Sequence, residues 1–152
     1  SGVVFDQPFL NLLAPVVAAD FDDPAPDAVL TAATDGITFG AALASHLGAR
    51  VAYAKKSRET AVEEFVEARD RLASGIELTY YLPAAALDGG DRVLVVDDLV
   101  RSGETQTLLL DIAERAGATV VGVAALIAAG DEGLTRARAR VDAPVEALVG
   151  LE

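Results

Sequence analysis

The stretch Val93-Leu94-Val95-Val96-Asp97-Asp98-Leu99-Val100-Arg101-Ser102-Gly103-Glu104-Thr105 decides the fold. It opens with an apolar run of strand type. Two carboxylates follow at once, then a short polar loop, then the apolar period of a helix at Leu108, Leu109, Ile112, Ala113 and Ala116. A continuous apolar strand belongs in a buried parallel sheet, and ligands of such sheets sit at the carboxyl ends of the strands. An ionised carboxylate only accepts hydrogen bonds, so an adjacent pair suits two vicinal hydroxyls. The loop ahead of a helix turns unpaired N–H groups and the positive end of the helix dipole toward an anion. Ser102 and Thr105 add hydroxyl donors, and Gly103 permits close approach or a positive φ. The order predicts a ligand carrying both sugar hydroxyls and a phosphate. A bare acid pair at a strand end, of the metal-binding kind, leaves the Ser-Gly-x-Thr spacing into a helix unexplained.

Upstream, the same plan recurs. Residues 27–32 read as a short buried strand and Ala33-Thr34-Asp35-Gly36 as a turn. Ile37–Leu47 reads as a helix, with Phe39, Leu43 and Leu47 on one face and Gly48 as its stop. This is a second strand–loop–helix unit and a second candidate anion site. Residues 49–54 form a third strand that ends in Lys55-Lys56-Ser57-Arg58, three cations in four residues of an otherwise acidic chain. At the other end, Asp6-Gln7-Pro8 reads as a helix start, with Pro15 restarting or kinking the helix. Residues 1–4 read as an abrupt beginning.

Residues 59–73 predict an amphipathic helix, with Val62, Phe65, Val66 and Leu72 on one face and Glu67–Arg71 as an i,i+4 pair. Residues 74–82 alternate as a strand that carries Tyr80 and Tyr81, assigned to the core or a dimer contact. Thr119–Ala129 and Val145–Leu151 are further strands. Arg136, Arg138 and Arg140, every second residue, suggest an exposed edge protected against pairing. His46, close to an apolar stripe, is expected to be half-buried with one hydrogen bond. The fold class that follows is α/β, a Rossmann-like, mainly parallel sheet flanked by helices.

Composition narrows the function. With 152 residues and 52% hydrophobic residues, the chain is sized for one domain with a proper core. It has no cysteine and one histidine, which excludes thiolate chemistry and a multi-histidine metal site within one chain. A net charge of −12 argues against direct nucleic-acid binding. Lys55 and Lys56 are the two lysines; every other basic residue is arginine. That balance suits either concentrated salt or a GC-rich genome. An acidic chain that binds a polyanion needs local positive charge or Mg²⁺ at the site. No apolar run approaches a membrane span and no signal-peptide pattern begins the chain, so a cytoplasmic location is expected.

The opening stretch closely resembles the PRPP-binding signature of the type I phosphoribosyltransferases, and the family's order of elements extends from about Val3 to Leu151. The resemblance implies that Asp97 and Asp98 hold the ribose hydroxyls and are the catalytic acids. It implies a 5′-phosphate loop of Arg101, Ser102, Gly103, Glu104 and Thr105. It implies that Ala33, Thr34, Asp35 and Gly36, with Lys55, Lys56 and Arg58, hold pyrophosphate. It further implies a flexible hood loop over residues 59–73, with Glu59, Glu63 and Glu64 as possible counterparts of an acid near the base. The small N-terminal hood would be partly missing from a single domain spanning 1–152. The partners implied are PRPP and a nucleobase, with a homodimer as the assembly. The cofactor implied is Mg²⁺, ligated mainly by PRPP and water. Two departures stand out. Glu104 stands where family loops often carry Gly. Arg101 stands where 6-oxopurine enzymes usually have an aspartate, which points to an adenine-type purine substrate. The alternative is a PRPP-sensing domain of a transcription regulator, without catalysis.

Overall fold

The computed structural model describes residues 6–152; residues 1–4, the abrupt beginning noted above, lie outside them. Five parallel strands form the central sheet in the order β2-β1-β5-β6-β7: β1 Ala28–Ala32, β2 Arg50–Ala54, β5 Arg92–Val100, β6 Thr119–Ala129 and β7 Val145–Leu151. Helices cover both faces, as the continuous apolar strands require. Along each strand, alternate residues serve opposite cores. Val29, Leu94, Val96, Ala124 and Leu126 pack against α1 (Gln7–Ala18) and α2 (Ile37–Leu47). Leu30, Val93, Val95 and Val123 pack against α3 (Glu104–Arg115) and α4 (Glu132–Arg140). The expected fold class is the observed one.

Local chemistry sets the element ends. Asp6 caps α1 by accepting from Phe9 N at 2.9 Å, and the helix runs on through Pro15. Gly48 ends α2 at φ 65°. Asp27 fastens the start of β5, accepting from Arg92 N at 2.8 Å, and this bond holds its carboxyl below the ordinary range. No helix among the described residues is long and apolar enough to cross a membrane.

Three expectations are corrected. Residues 59–73 do not form a helix. Phe65–Arg71 is a strand, β3, paired antiparallel with β4 (Glu77–Pro83) in a separate hairpin. A period of two explains it. Ala68 is buried and Val66 packs against the core, while Glu67, Arg69 and Arg71 share the outer face. There Arg69 pairs with Glu67 at 3.4 Å and with Glu77 at 3.6 Å, so cross-strand charge replaces the expected Glu67–Arg71 helical pair. The arginines at 136, 138 and 140 do not lie on a sheet edge. They sit on α4, whose inward residues Leu134 and Ala137 follow helical spacing, with the cap residue Val141 packed on the same core. That spacing turns the three side chains in different directions, to Ser102 O, Val145 O and Asp111. His46 is exposed, on the solvent side of α2.

Candidate active site

β1 and β5 are neighbours at the centre of the sheet. The chain leaves β1 toward α2 on one face and leaves β5 toward α3 on the other. Such a divergence opens a crevice at the strand ends. Two cavities occupy it. One, of ≈ 190 Å³, is lined by Asp97, Asp98, Asp35 and the loop from Arg101 to Gln106. The other, of ≈ 600 Å³, is lined by Ala33, Thr34, Asp35, Lys55, Lys56 and Tyr80, among others. Asp35, Asp97 and Thr105 border both.

The strand itself carries the acids. β5 continues through Val100, so Asp97 and Asp98 sit inside it, and both are buried. Asp97 Oδ1 accepts from Asp98 N at 2.8 Å, and Oδ2 accepts from Gln106 Nε2 at 2.6 Å. Burial, then the neighbouring Asp98 carboxyl, push Asp97 up to about 8, and Asp35 adds to the effect. Tyr80, also buried, has its phenol pushed up by that burial.

The loop after β5 ends at the N-terminus of α3. Gly103 takes φ 88° and leads into α3, whose first-turn N–H groups face outward from the helix start. Ser102 Oγ donates to the Glu104 carboxylate, so Glu104 turns back over the loop. From behind, α4 braces the same loop. Gly133 N donates to Arg101 O at 2.9 Å, and Arg136 Nη1 donates to Ser102 O at 2.8 Å. Arg101 is exposed and lines the smaller cavity.

The second loop is tight. Ala33 N donates to Ala54 O at 2.8 Å, and the Ala33–Thr34 peptide is cis. Gly36 lies on Thr31, where a Cβ would stand 2.1 Å from the hydroxyl. Gly36 therefore serves the packing beneath the loop, while Ala33, Thr34 and Asp35 face the larger cavity. The cations part company. Lys55 lines that cavity and pairs with Glu59 at 2.7 Å; Lys56 lines it and is exposed. Arg58 turns to the hairpin, pairing with Glu67 at 3.2 Å and stacking over the Tyr81 ring at 5.1 Å. Glu59, Glu63 and Glu64 are exposed and border neither cavity.

Sequence reasoning missed Gln106, Gly133, Arg136 and the cavity-lining role of Tyr80. Gln106 left a signal: it stands three and seven positions before the buried Leu109 and Ala113, a polar residue on the apolar stripe of α3. Arg136 left none, because its partner lies 34 positions away.

Sheet, crevice and loops together define an open parallel α/β protein whose buried acid pair shares a cavity with the loop that leads into α3. The family model described as the phosphoribosyl transferase domain matches residues 14–142, and the chain belongs to that family. It is 33% identical over 124 residues to a xanthine phosphoribosyltransferase of Lactobacillus delbrueckii subsp. bulgaricus, covering 80% of this chain and 66% of that protein. It is 37% identical over 95 residues to an adenine phosphoribosyltransferase of Thermobifida fusca, covering 62% and 53% of the two chains. The chain thus spans less than two thirds of the length of these relatives. Among solved structures, the adenine phosphoribosyltransferase of Rhodothermus marinus superposes with a TM-score of 0.81 at 28% identity, covering 93% of this chain and 79% of that one. That of Thermoanaerobacter pseudethanolicus gives 0.83 at 23% identity, covering 96% and 83%.

Proposed function

We propose that this chain moves the 5-phosphoribosyl group from PRPP to a purine nitrogen and releases pyrophosphate, with adenine as the preferred base. The observation that carries the reading is one cavity holding Asp97 and Asp98 opposite the Ser102–Thr105 loop, with a second cavity lined by Lys55 and Lys56 beside it. The ribose hydroxyls donate to the acid pair, and the 5′-phosphate sits on the loop at the start of α3. Pyrophosphate extends toward Ala33–Asp35 and the lysines. The base nitrogen forms a bond to ribose C1 as the C1–O bond to pyrophosphate breaks. The bonding pair leaves with pyrophosphate, and the proton on the attacking base nitrogen passes to water. Positive charge that builds on the sugar ring lies beside carboxylates, which favours it. Most of the acceleration comes from holding the two reactants in line.

The residues present suit Mg²⁺ carried in by the substrate. In this reading PRPP and water supply most of its ligands, as in the family the sequence resembles. When bound, Mg²⁺ neutralises charge on the departing pyrophosphate. Adenine preference rests on Arg101 at the loop position discussed above; the matched relatives include both adenine and xanthine enzymes. A homodimer is part of the proposal, and the exposed apolar residues Phe9, Leu12 and Val16 along α1 offer it a surface.

The test is pyrophosphate release from PRPP and Mg²⁺ with a panel of bases. Adenine should give the fastest turnover. Faster turnover with xanthine would reassign the base, and PRPP binding without release on any base would overturn the enzyme reading. The cations make a separate expectation. Lys56→Ala should weaken PRPP binding about tenfold, roughly one charge-assisted contact. Arg58→Ala should change it less than about twofold, since its exposed pairing serves the hairpin. Titration calorimetry compares the two, and equal losses would place Arg58 on the ligand after all.

A further inference from the structure

We propose that Gln106 is the positioning residue of the ribose-binding carboxylate: its buried side-chain amide fixes Asp97 as an acceptor for the sugar diol. The inference rests on the PRPP reading above. Gln106 occupies a place on α3 that helical spacing assigns to the apolar stripe, and it is only 3% exposed. A buried amide without a partner is costly, and an apolar residue of similar length would fill the stripe. Here the amide has one specific partner. Nε2 donates to Asp97 Oδ2 at 2.6 Å while Asp98 N donates to Oδ1 at 2.8 Å. Two donors from two elements grip the two oxygens and so fix the plane of the carboxylate. The carboxyl also hydrogen-bonds the Asp98 side chain, and the lone pairs left over can accept from a ligand hydroxyl. Gln106 also lines the cavity in which the diol would sit.

The charge state gives the role a signature. Burial and Asp98 work against the ionised form of Asp97. A donor that bonds this form works for it. Removing the donor moves the titration of Asp97 upward, and affinity for the diol then falls most at the lower pH. Other charged or titratable groups share the surroundings: Asp98 on β5, Arg101 on the loop after it, Glu104 at the start of α3, Asp35 ahead of α2, Lys55 and Lys56 after β2, and Tyr80 on β4. Dividing the variant's affinity by that of the wild type at each pH removes their common contribution.

The experiment is calorimetric titration of the full chain with PRPP and Mg²⁺ between pH 6.5 and 9.5, for wild type, Gln106→Leu and Gln106→Met. Both variants should bind about tenfold more weakly at pH 7, narrowing to within about twofold at pH 9.5. A ratio near one, or a deficit that is the same at every pH, overturns the proposal, because a merely structural role moves no pH profile. A measurement on the wild type covers the case in which the variants fail to fold. The side-chain amide signals of Gln106 in a ¹⁵N NMR spectrum should shift as Asp97 titrates and again when PRPP binds. Signals that respond to neither overturn it. A wild type that binds no PRPP sinks the function proposed above, and the amide response to pH then decides the Gln106 assignment alone.

Discussion

Asp97→Asn combined with Asp98→Asn is expected to abolish PRPP binding while the thermal melt stays cooperative. Each carboxylate offers a charge-assisted acceptor to one ribose hydroxyl, and such bonds contribute about 1.5–3 kcal/mol apiece. Losing both weakens affinity by roughly a hundredfold to ten-thousandfold. An amide keeps the size of the carboxyl, so the cavity and β5 remain. Calorimetry reads the binding and circular dichroism reads the fold; binding equal to wild type would remove the ribose assignment. Stability should move the opposite way from binding. Asp97 is raised in the folded state to about 8, so the folded chain keeps a proton that the unfolded chain has already lost. Its contribution is full below the ordinary carboxyl range and is lost as pH rises toward 8. Asp97→Asn does not titrate. Its melting temperature should therefore gain on the wild type as pH rises from about 4 to about 8, and level off beyond.

The second large effect concerns a residue with no side chain. Gly133→Ala should destabilise the fold by about 2–3 kcal/mol, as overpacking in a closed interior does, and weaken PRPP binding at the same time. A Cβ there would stand 2.3 Å from Val100 Cγ1 and 2.6 Å from Arg101 O. Neither atom can retreat easily. Val100 is buried at the end of β5, and Arg101 O already accepts from Gly133 N. Gly103, at φ 88°, faces the same backbone, with its own Cβ position 3.0 Å from Gly133 Cα. Two glycines thus let α4 and the loop meet backbone to backbone, and a methyl group at 133 pushes the loop away from α4. Gly150→Ala is the control: nothing lies within 4 Å of its Cβ position, and it should be nearly neutral. A Gly133→Ala protein with the melting temperature and PRPP affinity of the wild type would show that the loop shape does not depend on this contact.

Where chemistry and period fall within one short stretch, the sequence was legible. Residues 93–105 carry strand, loop and helix start in the expected order, except that β5 runs on through Val100 and takes the acid pair inside it. Ile37–Leu47 was read with the bounds it has, because Gly36 and Gly48 bracket it. The β3 segment was not legible. Phe65-Val66-Glu67-Ala68-Arg69-Asp70-Arg71 satisfies a helical period and an alternating one, and only pairing with β4 decides between them. The arginines of α4 misled in the reverse sense: alternation suggested a strand edge, while Leu134 and Ala137 held the helical period. Within the site, the parts that touch ligand in the proposed reading were found from residue type, except Tyr80. The parts that hold them, Gln106, Gly133 and Arg136, depend on which elements become neighbours. Only the Gln106 amide, out of place on its stripe, hinted at its task.

The pairing of β1 with β5 has a consequence for how the chain reaches its native state. Asp27 accepts from Arg92, 65 positions further along, and α2, β2 and the hairpin are all made in between. The crevice does not exist until that long loop closes, and closing it costs more chain entropy than a local contact does. PRPP would then act as a folding ligand, drawing the final closure forward by mass action, worth about 2.7 kcal/mol at a hundred times its dissociation constant. Cells rich in PRPP would hold more of this protein in its finished form.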